Sequence, residues 1–250
     1  MQSGISKNKL SRYTALQQKK YRKLHNEFIV EGKKGVEEFI RSGFQVVDLI
    51  VVEGQSDLAS LPSDKIVWIS EKDMKKLSSL STAPGIAGVF VLPQEKRNED
   101  WKDSFSLVLD GVRDPGNMGT IIRTADWFGI KNIFCSEDCV DIYNAKVVQS
   151  SMGSLARVNV VYTDILQMFE KTNLPSDFDV MGAFMNGEAV SGFQFKGKGV
   201  LVLGNESDGI RENMSALISK KLSIPKAPDS QTESLNVAIA AAIFCYCLTR

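Results

Sequence analysis

Residues 107–123 read LVLDGVRDPGNMGTIIR: three apolar β-formers, a loop of Asp, Gly and Pro, then an apolar-periodic run. A short apolar strand entering a helix through Gly- and Pro-punctuated chain is a βα unit. Pro115 stiffens the turn, Gly116 and Gly119 let backbone come close to a partner, and Asn117 is placed to cap a helix over 117–128. Gly119 and Arg123 are four residues apart and are predicted to share a face, so that Arg123 projects over a floor without side chains. The alternation continues through strand 131–135, a helix near 144–151, strand 157–161, helix 164–171, strands 179–184 and 200–203, a helix near 211–219, strand 222–224 and a closing helix 234–248. Such alternation predicts the α/β class, with a mostly parallel sheet covered on both faces.

Upstream, Glu31–Ser42 reads as a helix, Val46–Val52 and Lys65–Ile69 as strands, and Ser70 as the cap of a helix running through Met74, Leu77 and Leu80; Ile86–Leu92 is a further strand. The polar stretch PQEKRNEDWKD (93–103) looks like a linker. The expected organisation is a small α/β domain over 1–93 with a basic arm, a linker over 94–104, and a larger domain over 105–250. The 250 residues balance 30 Lys+Arg against 30 Asp+Glu, yet residues 1–34 carry nine cations and two carboxylates, a net of +7. Lys9, Arg12, Lys19, Lys20, Arg22 and Lys23, interleaved with Tyr13, Tyr21 and Phe28, suit an RNA phosphate backbone; a solvated helix face is the plainer alternative.

A hydrophobic share of 43% with 24% charged residues excludes collagen-like, disordered and disulfide-scaffold classes. No apolar run reaches the ~18 residues of a membrane span, and the N-terminus lacks the apolar stretch of a secretory signal, so a cytoplasmic location is the expectation. Cys135/Cys139 and Cys245/Cys247 are spaced C-x3-C and C-x-C with no nearby His, which reads as buried free thiols and calls for no metal.

The chemistry gathers in three loops after strand ends, where ligands of parallel sheets bind. The first is 110–119. The second, GNESDG (204–209), has Gly204 and Gly209 for close approach and Glu206 as a carboxylate able to accept from a ligand or pair with Arg. The third runs from Ile224-Pro225 to Ser234-Leu235-Asn236, with Ser234 expected to cap the last helix and Asn236 offering both donor and acceptor. That helix is apolar almost all round, which predicts burial in the sheet layers or at a subunit interface. Neither GxGxxG nor GxxxxGK[ST] occurs, so another kind of nucleotide-binding enzyme is unsupported.

Taken together, NMGTIIRTA (117–125), LVLGNESDG (201–209) and the Ile224-Pro225 and Ser234–Val237 segments resemble the SpoU family of S-adenosylmethionine-dependent RNA ribose 2′-O-methyltransferases, within the SPOUT superfamily. The resemblance implies a trefoil-knotted α/β domain preceded by a small ribosomal-protein-like α/β domain, and a homodimer. It implies cofactor contacts at Leu203, Gly204, Asn205, Gly209, Ile224, Pro225, Ser234, Leu235 and Asn236, and catalytic or substrate roles for Asn117, Arg123, Glu206, Ser234 and Asn236. The implied activity is methyl transfer to a ribose 2′-hydroxyl, with 23S ribosomal RNA favoured by the domain order. A tRNA 2′-O-methyltransferase, or a ribosome-assembly protein that keeps the fold without the activity, are the alternatives.

Overall fold

The structure is a computed structural model and describes residues 4–94, 99–205 and 207–250. The chain forms two compact units: Met1–Gln94 joined by Asp141–Ala156, and Glu95–Val140 joined by Arg157–Arg250.

The first unit runs α1 (Lys7–Ala15), α2 (Lys19–His25), β1 (Glu27–Glu31), α3 (Lys33–Arg41), β2 (Val46–Val52), β3 (Ile66–Ile69), α4 (Glu71–Leu77) and β4 (Ile86–Val91). Its sheet has the order β1-β4-β2-β3, with β4 antiparallel to both neighbours and β2 parallel to β3. Successive side chains of a strand point to opposite faces. Phe28 and Phe90 thus meet Phe39 on one face at ring-centroid distances of 5.4–5.8 Å, while Ile29 and Ile50 join Tyr13, Leu16, Met74 and Leu77 on the other. The Ser70 cap forms as expected, its hydroxyl accepting from the Asp73 N–H. The basic arm contains a strand that the charge pattern concealed: β1 is a buried Phe-Ile-Val between two glutamates, and the helix expected from Glu31 begins only at Lys33.

The excursion Asp141–Ala156, with α6 (Ala145–Ser150), belongs to this unit. Tyr143 packs on Phe28 with ring centroids 4.5 Å apart and planes tilted by 49°, and the backbone at Gly153 lies so close to Glu38 that a Cβ there would stand 2.8 Å from its side chain. Arg22 fastens the start of the excursion, donating to Asp141 Oδ2 at 2.7 Å and to the Leu16 and Gln17 carbonyls at 2.8 and 2.9 Å.

In the second unit the chain runs β5 (Phe105–Asp110), α5 (Pro115–Trp127), β6 (Asn132–Cys135), β7 (Asn159–Tyr162), α7 (Ile165–Glu170), β8 (Asp179–Ala189), β9 (Gly199–Gly204), α8 (Glu212–Ser215), β10 (Lys220–Ser223) and α9 (Val237–Leu248). The sheet is parallel throughout, in the order β10-β8-β9-β5-β6-β7. Buried on both faces, β5 and β9 are near-continuous apolar runs, as such strands require. Val108, Val200 and Val202 pack with Trp101, Phe134, Ile165, Phe169 and Met214 on one side, while α9 packs on α5 and β9. Trp101, at the end of the expected linker, is therefore core; residues 95–98 of that linker lie outside the described residues.

Several expected boundaries move. β8 continues to Ala189, because its pairing with β10 skips from Gly182 to Glu188. α8 is a single turn instead of the predicted nine residues. α5 begins at Pro115, capped by Asp114 and not Asn117, and α9 is capped by Asn236 and not Ser234.

Candidate active site

The three loops singled out above leave β5, β9 and β10 at the same, carboxyl-terminal edge of the sheet. Asp114 Oδ1 accepts from the Asn117 N–H at 2.8 Å, and Pro115 occupies the first helical position, where its missing N–H costs nothing. Asn117 thereby sits in the first turn, and its side chain reaches away from its own helix. Its Oδ1 accepts from Asn236 Nδ2 at 2.9 Å, and Asn236 Oδ1 accepts in turn from the Ala238 and Ile239 N–H groups at 2.9 and 3.3 Å. One side chain thus caps α9 and ties it to the start of α5. On α5, Gly119 is buried and Arg123 exposed; four residues apart, they stand about 40° apart around the helix and share a face as predicted, with Gly119 at its buried end and Arg123 at its open one. Among the described residues Arg123 makes no hydrogen bond or ion pair, and the residue is exposed to solvent.

The second loop is closed on itself. Asn205 and Gly209 exchange two backbone hydrogen bonds of 3.1 and 2.9 Å, and Asn205 Oδ1 accepts from the Ser207 N–H at 2.7 Å. A Cβ on Gly204 would stand 2.2 Å from the Gly209 carbonyl carbon, so only glycine fits there, while Gly209 has the positive φ of 67° that makes the return possible. Glu206 lies outside the described residues. In the third segment Ile224 is half-buried, Pro225 and Ser234 are exposed, and Leu235 is 48% exposed.

A charged network without a motif of its own surrounds the first two loops. The Asp110 carboxylate, wholly buried at the end of β5, accepts from the Arg211 backbone N–H at 2.9 Å, from Nε at 2.6 Å and from Nη2. Asp138 accepts from Ser136 Oγ at 2.7 Å and Arg113 Nη2 at 2.9 Å, and these bonds hold its carboxyl below the usual range. Ser136 Oγ also accepts from the Gly111 N–H at 2.9 Å. A cleft of about 460 Å³ opens beside Ser136, Asp138, Thr163, Asp164, Arg211 and Asn213; no predicted cofactor residue lines it. The only signal of this network in the sequence is a lone Asp at a strand end and an Arg just past a glycine turn.

The basic arm divides. Lys9 pairs with Asp48 at 2.6 Å and Arg12 with Glu27, both beside the buried Tyr13 hydroxyl, which donates to Asp48. Arg22 is 4% exposed. Arg22 is thus part of the first unit's packing, while Lys9 and Arg12 are paired within that unit and keep 38% and 41% of their side chains exposed. Lys19, Lys20 and Lys23 are exposed on α2, with Lys20 Nζ 4.7 Å from the Tyr21 ring centre and Tyr21 stacked near His25.

The residues at this edge are of a kind compatible with an adenosyl group. Gly204 and Gly209 bring bare backbone to the strand end, and the apolar Ile224 and Leu235 side chains suit a purine face.

Compared with protein-family models, residues 104–246 match the SpoU rRNA Methylase family and residues 7–88 an MRM3-like substrate binding domain. The 23S rRNA (guanosine(2553)-2′-O)-methyltransferase RlmP of Bacillus subtilis (strain 168) is 32% identical over 252 residues, covering 95% of this chain and 94% of that one. A structure from Porphyromonas gingivalis, described as an RNA methyltransferase of the TrmH family, superposes with a TM-score of 0.86 at 36% identity over 98% of both chains. The AdoMet-bound rRNA methyltransferase from Sinorhizobium meliloti gives 0.82 at 25% identity, over 98% of this chain and 95% of that one.

Proposed function

Since this chain belongs to the SpoU family of S-adenosylmethionine-dependent RNA 2′-O-methyltransferases, we propose that it methylates a ribose 2′-hydroxyl of 23S ribosomal RNA, working as a cytoplasmic homodimer. The observation that carries most of the reading is the Asn117–Asn236 hydrogen bond, which joins the first and third motifs although they lie 119 residues apart.

S-adenosylmethionine, when bound, supplies a methyl group already activated by a sulfonium. Leu203, Gly204, Asn205, Gly209, Ile224, Pro225 and Leu235 would hold it, largely through backbone, with Ser234 and Asn236 closing the third side. What remains for the protein is alignment and the loss of a proton from a weakly acidic hydroxyl. Alignment alone supplies ~7–11 kcal/mol in favourable cases. Arg123 is the group for the substrate's charge: a guanidinium with pKa above ~12 is a poor base but a strong, forked donor to a phosphate or a developing alkoxide. Asn117, held by Asp114 and Asn236, orients the entering nucleotide. Glu206 is assigned to proton transfer or to the orientation of Arg123.

Exposed Lys19, Lys20 and Lys23, with Tyr21 and His25 beside them, suit RNA backbone and unstacked bases. The dimer reading is supported by large apolar side chains left exposed on two helices, Trp127 at the end of α5 (83%) and Ile239 at the start of α9 (53%). The trefoil knot belongs to the same reading. Free thiols at Cys135, Cys139, Cys245 and Cys247 suit a reducing compartment. Among the described residues no helix is long and apolar enough to cross a membrane.

The test is methyl transfer from labelled S-adenosylmethionine to total RNA lacking the modification, followed by nucleoside mapping. Label in a 2′-O-methyl nucleoside of 23S RNA is the expected result. Label in tRNA would move the substrate assignment, and cofactor binding without label on any free or ribosomal RNA would favour the assembly-protein alternative.

A further inference from the structure

Neither Asp110 nor Arg211 is among the residues assigned to cofactor or RNA, yet together they hold the end of the second loop. We infer that Arg211, clamped by Asp110, is a positioning residue for methyl transfer: it fixes where the 204–211 loop stands against the loop that leads into α5. The inference rests on the methyltransferase reading above.

Asp110 and Gly204 are the last paired residues of β5 and β9, and beyond them the two chains part. Asn205 and Gly209 close the turn on each other with two backbone hydrogen bonds, so its stand against the rest of the sheet edge depends on what its two ends are tied to. Polar bonds to neighbouring chain fix both ends. At one end Asn205 Nδ2 donates to the Gly111 carbonyl at 3.0 Å. At the other, Arg211 places a backbone N–H and a forked guanidinium on a single carboxylate. A planar bidentate donor sets direction as well as distance, which an ammonium does not. Asp110 has no exposed side-chain surface, so releasing it would strand a buried charge, and that penalty keeps the clamp shut. The other side of the joint is fixed as well: Ser136 accepts from the Gly111 N–H, and Asp138, held by Ser136 and Arg113, lies 3.4 Å from Arg211 Nη2. The chain between Gly111 and Asn117 is short, so the clamp aligns the cofactor loop with Asn117 and Arg123.

The experiment compares wild type, Arg211→Gln, Arg211→Lys and the double variant Asp110→Asn/Arg211→Gln. The expected pattern for Arg211→Gln is a fall in kcat of at least thirtyfold with S-adenosylmethionine affinity kept within threefold, because the turn's internal bonds survive. Arg211→Lys should recover to within tenfold of wild type. Hydrogen–deuterium exchange across 204–211 should quicken in Arg211→Gln while β5 and α5 keep their protection. Equal losses of kcat and affinity, an unchanged kcat, or unchanged exchange in that loop would each overturn the inference. Should Arg211→Gln fail to fold, the double variant, which leaves no buried charge, must show the same split. Wild-type protein that neither binds S-adenosylmethionine nor transfers methyl defeats the functional reading instead, and the exchange comparison still decides whether the clamp holds the loop.

Discussion

Replacing Arg22 with Met separates two roles that the sequence runs together. The guanidinium makes one charged bond to Asp141 and two to main-chain carbonyls, and its side chain is 4% exposed against 18% for Asp141. Removing one partner of a buried pair costs about 3–5 kcal/mol, because the other charge is left without compensation. Arg22 Nε is itself buried with no partner among the described residues, so the native state already carries part of the cost of burying this group. The lower end, about 3 kcal/mol, is therefore the expected loss, Met filling most of the space left by the aliphatic stem. With a urea m-value of about 2–3 kcal/mol/M, the unfolding midpoint of the first unit should drop by about 1–1.5 M. Hydrogen exchange read against urea isolates that unit, and peptides spanning 141–156 should open first. Under native conditions the variant should bind RNA within threefold of wild type. An unchanged midpoint with weakened RNA binding and a shallower salt dependence would show that Arg22 meets phosphate, and the structural assignment would be wrong.

The complementary variant Lys19→Glu/Lys20→Glu/Lys23→Glu should leave the midpoint within a few tenths of a molar. Its RNA affinity should fall and its log–log salt slope flatten by about 2–3, since each phosphate that a lysine neutralises adds about 0.7–0.9 to that slope. Asn236→Ala removes the cap of α9 together with its tie to Asn117; a loss of about 1–2 kcal/mol in stability and a larger proportional loss of turnover are expected from melting curves and transfer assays. Gly204→Ala forces a methyl onto the Gly209 backbone, so calorimetry should find S-adenosylmethionine binding abolished while the first unit's melting is unchanged. In native protein at pH 8, peptide mapping should find Cys247 alkylated early. Cys245, pushed up to about 12 by burial, should react only on unfolding.

What the sequence displays well are features written within one element. The apolar runs of β5 and β9, the Gly- and Pro-marked loops after them and the Ser70 cap all follow from neighbours a few positions apart. Where it misleads, the deciding partner is far along the chain. Lys9 and Arg12 read as unpaired cations until β1 and β2 bring Glu27 and Asp48 beside them. Ser234 and Asn236 are equally good caps by residue type, and the choice falls to Asn236, whose amide also reaches Asn117. Arg22 reads as one more exposed cation because its partner, Asp141, is 119 residues away. Asp110 and Arg211, 101 residues apart, escape notice for the same reason.

The excursion 141–156 has a bearing on how this protein is made. A ribosome finishes residues 1–94 long before it reaches the segment that covers Phe28 and neutralises Arg22. At about 5–20 residues per second, the on the order of sixty residues still to come take roughly 3–12 s to synthesise. Throughout that interval the nascent first unit holds an uncovered aromatic face and an unpaired cation. Its folding is completed from downstream, so the order of synthesis and the order of folding do not coincide. A chain cut at the apparent linker would be arrested permanently at that half-finished stage.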